Sequence, residues 1–307
     1  MFDVTVTDLG DSLYMIDAGM HDEPERLACY LFDTPNRVLI ECGPSNVMPN
    51  LTAALDSIGV NEVAAMVVTH IHLDHAGGAG HFAEQYPNAQ IGVHELGARH
   101  LIDPTRLWDS AERIYTPEGM QTLWGPMRPV PEDRLLVLDD GSTVDLGGGR
   151  QLDVMYTPGH AKHHIVFSED VSGGMFVGDS VGIAFPHGHM VQPVTPPPDF
   201  DEPQSLEQLR RMAARQPGFV GFAHYGVAGD SARVFEEAEL RLVEWVEFVQ
   251  SIGDAANADE LMRQWVLDRY RQEGMSEEAI DQYDRNTFWP MQASGIQRWL
   301  SIRERDA

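Results

Sequence analysis

One stretch limits the folds open to this chain more than any other. It is Thr69-His70-Ile71-His72-Leu73-Asp74-His75-Ala76-Gly77-Gly78, directly behind the apolar run Ala64–Val68. A short continuous apolar run bounded by turn residues reads as a strand buried on both faces. His70 and His72 lie two apart at its end, so their side chains point the same way. Asp74 and His75 follow in the turn, and the glycines behind them permit a tight reversal. Imidazoles and a carboxylate together suit a borderline divalent ion such as zinc. The fold must therefore end a buried strand at a loop where a metal can sit.

Short apolar runs separated by turns fill the first two-thirds of the chain. Val4–Val6, Leu13–Ile16, Ala28–Phe32 and Arg37–Glu41 read as strands, with a hairpin turn at Asp33-Thr34-Pro35-Asn36. Val47, Leu51, Leu55 and Ile58 recur on one helix face, and Gly59 stops that helix. Further strands are expected at Gln90–Val93, Leu135–Leu138, Thr143–Leu146, Gln151–Tyr156, His164–Phe167, Gly174–Val177 and Phe219–Ala223. Residues 97–131 break this rhythm with helix-spaced Leu101, Leu107, Trp108, Ile114, Tyr115 and Trp124. They read as a helical insert, either packing or a lid over a site. Pro186 to Pro203 is too proline-rich for a regular helix or central strand, and a helix is expected at Ser205–Arg215. From Asp230 the chain reads as helices to its end: one capped by Asp230 or Ser231 and stopped by Gly253, then Ala258–Gln272 and Ser276–Ile302. Aromatic residues crowd this tail.

Composition excludes several function classes. Acidic residues number 48 against 21 basic ones, a net charge of −27, and Lys162 is the single lysine. Such a surface repels nucleic acid and anionic membrane. It fits a protein hydrated for concentrated salt, or a genome rich in G and C. No apolar run reaches the roughly 18 residues of a membrane span, and the N-terminus lacks a signal-peptide pattern, so a cytoplasmic protein is expected. Cys29 and Cys42 are the only cysteines and read as buried thiols.

Three later segments add to the first motif. Thr157-Pro158-Gly159-His160, Val177-Gly178-Asp179-Ser180 and Phe222-Ala223-His224-Tyr225-Gly226 each put one His or Asp just past an expected strand. In order and spacing the four segments resemble the metallo-β-lactamase-fold hydrolase superfamily, over roughly residues 1–230. The resemblance implies an α/β fold, an αββα sandwich of two mixed β-sheets flanked by helices. It divides the chain into a catalytic domain over 1–230 and a C-terminal helical extension over 231–307. It further implies two divalent metal ions, zinc first, with iron or manganese as the other candidates. One ion would take His70, His72 and His160, the second Asp74, His75 and His224, with Asp179 bridging them. His164 reads as a support for these ligands rather than one of them.

Within the superfamily, Asp179 argues against the true β-lactamases, and His72 stands where flavodiiron reductases carry Glu. The glyoxalase II-like and lactonase-like branch remains. That branch implies a hydrolase in which a metal-bridging hydroxide attacks a thioester, ester or lactone carbonyl of a small acyl substrate. Asp74 would orient the nucleophile or carry its proton, and Tyr225 would donate to the oxyanion. Phe185–Met190 would line the pocket. Glu41-Cys42-Gly43 replaces the Asp-Thr-Gly of many members, a position that usually supports the ligands. Glutathione-binding basic residues are not found. Two alternatives stay open: a mononuclear iron oxygenase like the persulfide dioxygenases, and a non-catalytic metal-binding module. A homodimer through the insert or the aromatic tail is a further expectation.

Overall fold

A computed structural model describes residues 2–188 and 190–306. The chain forms two sheets, of seven and six strands, with helices on their faces and a helical C-terminal extension. It divides into two compact units, Met1–Tyr156 with His163–Val177, and Thr157–Lys162 with Gly178–Ala307.

The first unit holds the seven-stranded sheet in sequential order: β1 (Thr5–Gly10), β2 (Leu13–Asp17), β3 (Ala28–Phe32), β4 (Val38–Ile40), β5 (Ala65–Val67), β6 (Gln90–His94) and β7 (Leu135–Leu138). Pairing is antiparallel from β1 to β4 and parallel from β4 to β7. Parallel neighbours need crossovers. They are α1 (Met48–Ser57), then α2 (Leu73–Ala76) with α3 (Ala79–Gln85), then α4 (Glu95–Ile102) with α5 (Thr105–Gly119). The same unit carries the antiparallel strands β8 (Thr143–Gly147), β9 (Arg150–Tyr156), β10 (Ile165–Glu169) and β11 (Gly174–Gly178) of the other sheet. Aromatic rings hold the two sheets face to face. Phe176 of β11 meets Tyr30 of β3 at 4.8 Å and Phe32 at 5.6 Å. Contacts of this kind add about 0.5–1.5 kcal/mol to plain burial.

The second unit holds α6 (Glu202–Ala213), the hairpin β12 (Phe219–Phe222) and β13 (Gly226–Ala228), and the helices α7 (Ser231–Ile252), α8 (Ala258–Gln272), α9 (Glu277–Arg285) and α10 (Trp289–Asp306). Helix α7 packs on α6, α8, α10 and β12. The tail aromatics serve this packing. Trp245, Trp289 and Trp299 are buried, and Phe248 stacks on Trp265 at 4.5 Å. Phe248 and Trp265 are half-buried, and Phe288 is 44 % exposed.

The structure departs from the expected elements in three places. The proline-rich stretch does end inside a helix: α6 starts at Glu202 with Pro203 in its first turn, where a missing N–H breaks no helical bond, and Asp201 caps it. The expected helix over 276–302 is two helices, because Asn286 and Thr287 turn back onto carbonyls of α9. Gly77 and Gly78 form the turn between α2 and α3, but with right-handed backbone angles open to any residue. A Cβ on Gly77 would lie 2.4 Å from the Leu73 carbonyl oxygen, and one on Gly78 would lie 2.9 Å from Met48 Sδ, so they are needed for close approach.

Candidate metal centre

Strands β4 and β5 are parallel neighbours, so their C-terminal ends lie side by side, where open α/β sheets place their ligands. Glu41 follows β4 and donates its N–H to Val67 O at 2.9 Å. Its φ is +65°, an uncommon conformation for a residue with a side chain. This conformation accompanies a buried carboxylate beside Thr69 and His75. Thr69 Oγ1 donates to Glu41 Oε1, and His75 Nδ1 lies 3.1 Å from the same oxygen. The other oxygen, Oε2, is buried without a hydrogen-bond partner.

These contacts fix two histidine tautomers. A carboxylate only accepts, so His75 donates through Nδ1–H and keeps a lone pair on Nε2. Thr69 has spent its one hydrogen on Glu41. It therefore accepts from His70 Nδ1, 3.0 Å away, and His70 also keeps its lone pair on Nε2. That nitrogen lies 2.9 Å from His72 Nδ1. His75 Nε2 lies 3.9 Å from Asp74 Oδ1. His164 is fully buried and stacks on His70 at 4.8 Å, the supporting place its sequence position suggested. His163 Nδ1 takes the Ile71 N–H.

The second unit gathers the other three predicted ligands. His160 stands in the loop after β9, Asp179 directly after β11, and His224 after β12. Asp179 Oδ2 lies 3.6 Å from His160 Nε2, and its Oδ1 lies 3.8 Å from His224 Nε2. One carboxylate thus offers a different oxygen to each imidazole. His160 Nδ1 lies 3.1 Å from Val194 O, so it donates there and again leaves Nε2 as the lone-pair nitrogen. Tyr225 is buried beside His224, and its N–H approaches Ala184 O at 3.5 Å.

These donor sets fit metal ions. Two ligands about 2.1 Å from one tetrahedral ion stand about 3.4 Å apart. The separations of 3.6, 3.8 and 3.9 Å are close to that and too long for hydrogen bonds. In His70, His75 and His160 the Nδ1 faces a buried acceptor and Nε2 is the lone-pair nitrogen, the arrangement typical of metal-bound histidine.

Three residues near Asp74 add a wall that the sequence left as packing or lid. Tyr115 of α5 and Trp124 pack edge to face at 5.1 Å, and His21 meets Trp124 at 5.3 Å. Burial, and then the Asp74 charge, push the Tyr115 hydroxyl above the usual phenol range. Burial, and then the Arg26 charge, lower His21 to about 4, so its ring is neutral near pH 7. The insert packs in this unit: Ala111, Met120 and Trp124 are buried. His21 stands alone in sequence, and no local spacing marked it. His81, His94 and His100 lie elsewhere; His94 caps α4 and stacks on Tyr156. Of the proposed pocket stretch, Phe185 packs on Tyr283 at 5.0 Å, and His189 lies outside the described residues.

The family model of the metallo-beta-lactamase superfamily matches residues 3–224. The chain belongs to that superfamily. A metallo-beta-lactamase fold-containing protein from Sulfurisphaera tokodaii, ST1585, is 28 % identical over 259 residues, which cover 83 % of this chain and 93 % of that protein. Its crystal structure superposes with a TM-score of 0.64 over 76 % of this chain and 86 % of that one. The acyl-coenzyme A thioesterase MBLAC2 of Gallus gallus is 30 % identical, with 53 % of this chain matching 64 % of its length. A metallo-beta-lactamase family protein from Thermus thermophilus, TTHA1429, shares the fold over 98 % of this chain and 96 % of its own, with a TM-score of 0.68 and 20 % identity. Members related to this chain include hydrolases, and its His and Asp clusters suit divalent metals. No described helix is long and apolar enough to cross a membrane.

Proposed function

We propose that this protein is a dinuclear metal-dependent hydrolase of acyl thioesters, with esters and lactones as the neighbouring substrate classes. The observation that carries the reading is the set of three tautomer-locked imidazoles with Asp179 offering one oxygen to each of two histidines. His70, His72 and His160 would hold one ion and Asp74, His75 and His224 the other, with Asp179 shared. When bound, such a pair supplies Lewis acidity and a water acidic enough to act as nucleophile near neutral pH. Asp74 has a partly exposed carboxylate. It would accept the proton of the attacking water and return it to the leaving thiol. Tyr225 would donate its hydroxyl to the developing oxyanion. Neutral His21 with Tyr115 and Trp124 would give the acyl chain an aromatic wall that adds no positive charge.

The thioester preference draws support from the similarity to the MBLAC2 thioesterase. The net charge of −27 works against polyanionic thioesters at low salt, so a substrate panel needs neutral thioesters and lactones as well as acyl-coenzyme A. Protein purified without added metal is expected to carry two divalent ions per chain, and chelation is expected to abolish thioester hydrolysis. Turnover by metal-free protein would sink the proposal. One iron per chain with oxygen uptake on a persulfide would replace it with the oxygenase reading. In Tyr225→Phe, kcat is expected to fall about 100-fold with KM little changed. An unchanged kcat removes Tyr225 from the oxyanion role.

A further inference from the structure

The loop from Ile183 to Pro196 borders two of the proposed ligands, and its described residues have almost no regular structure of their own. Its Val194 carbonyl holds His160 Nδ1, and its Ala184 N–H is bonded at 2.7 Å to the carbonyl of His224. The C-terminal helices fasten this loop along its length. Tyr283 of α9 accepts the Phe185 N–H at 3.1 Å and donates to Met190 O. Tyr270 of α8 donates to Gln192 Oε1 at 3.0 Å, and Gln192 Nε2 donates to Thr287 Oγ1 at 2.7 Å.

The tightest fastening lies one residue beyond Val194. Gln292 of α10 accepts the Thr195 N–H through Oε1 at 2.6 Å, and Thr195 Oγ1 donates to Gln292 O at 3.0 Å. Thr195 is 0 % exposed and Gln292 7 %. Helix α10 comes so close here that a Cβ on Gly295 would lie 1.9 Å from Thr195 O. The peptide joining Val194 to Thr195 is therefore clamped at its N–H. A planar peptide fixed at the N–H fixes the direction of its C=O, and that carbonyl orients the His160 ring.

We infer that Gln292 and Thr195 are positioning residues for His160, so that the C-terminal extension aims a metal ligand through the Val194 carbonyl. The inference rests on the proposed metal-binding role of His160. A hydrogen bond to the far nitrogen of a ligating histidine sets its orientation and basicity, and losing such a partner typically weakens metal binding 10- to 100-fold.

The test uses the full chain, titrated with zinc and with manganese against a chromophoric chelator, together with the melting midpoint of the metal-stripped protein. Gln292→Leu is expected to weaken metal binding about tenfold. Gln292→Glu, which keeps both acceptor contacts, is expected to restore most of it. Gln292→Met, which removes the same acceptor with a more flexible side chain, supplies the same test should Gln292→Leu fold poorly; Thr195→Val keeps the clamped N–H and loses only the hydroxyl bonds, so it is expected to weaken binding less. In a His160→Ala background, Gln292→Leu is expected to cause no further loss. The inference is overturned if Gln292→Leu lowers only the melting midpoint, or if it weakens metal binding equally with and without His160. A wild-type chain that binds no metal overturns the metal reading and this inference with it. Tight binding indifferent to Gln292 and Thr195 overturns this inference alone.

Discussion

Replacing Glu41 with alanine is expected to weaken metal binding by about 10²- to 10⁴-fold. The estimate follows from what the carboxylate touches. It accepts directly from His75 and, through Thr69, sets the tautomer of His70, so one side chain governs a ligand in each proposed ion's set. Each lost partner is worth about 10- to 100-fold, and independent effects multiply. Alanine also strands the Thr69 hydroxyl and the His75 Nδ1–H in a buried place, at about 1–3 kcal/mol each. Folding must be separated from ligation, and the backbone offers the control. Glu41 stands at φ +65°, where glycine relieves about 1–2 kcal/mol of steric cost. Glu41→Gly should therefore be more stable than Glu41→Ala and bind metal just as poorly. Glu41→Gln, which keeps an acceptor but no charge, should fall between. Chelator competition on each variant decides the matter. Wild-type affinity in Glu41→Ala would show that the histidines orient without it.

How much of this was legible in the sequence varies with the range of the interaction. The ligand cluster was legible because its chemistry is local: rare side chains at strand ends, where backbone period alone determines which way they face. The supporting role of the Glu41 position was visible only through resemblance. The contacts from Glu41 to Thr69 and His75 depend on β4 and β5 being parallel neighbours, a tertiary fact. Thr195 and Gln292 lie 97 positions apart, and neither carries a residue type that signals ligation. Short-range rules also misled at two helix boundaries. Pro203 looked like a breaker but occupies a first-turn position that tolerates it. The α9–α10 break was announced by Pro290, which falls in the first turn of α10 behind Asn286 and Thr287, but the continuous helix-spaced apolar pattern masked it. Gly77 and Gly78 were rightly noticed as special, but the reason was crowding by Leu73 and Met48, which a sequence does not display.

Arg241→Met is expected to destabilise the second unit by about 3 kcal/mol, and more at pH 8 than at pH 5. In a chain with so large an acidic surplus, Arg241 is a buried cation among carboxylates. Glu273 pairs with it through both oxygens, Glu244 lies 3.1 Å away, and Glu237 3.8 Å. Burial holds Glu237 above the usual carboxylate range even with the cation present, while Arg241 draws Glu273 below it. Removing one partner of a buried pair costs about 3–5 kcal/mol. The lower figure applies because Arg233 still reaches Glu237, and Arg269 still reaches Glu244 and Glu273. The sign of the pH effect follows from proton binding. Without Arg241, burial raises Glu237 further above its unfolded range, and Glu273 loses the cation that held it down. The folded variant then binds more protons than the unfolded chain in that window, so its stability falls as pH rises. Methionine keeps most of the volume, which leaves charge as the main variable. Denaturant titrations of the two proteins at both pH values give the answer. A deficit that is equal at pH 5 and pH 8 would assign the role of Arg241 to packing rather than to charge.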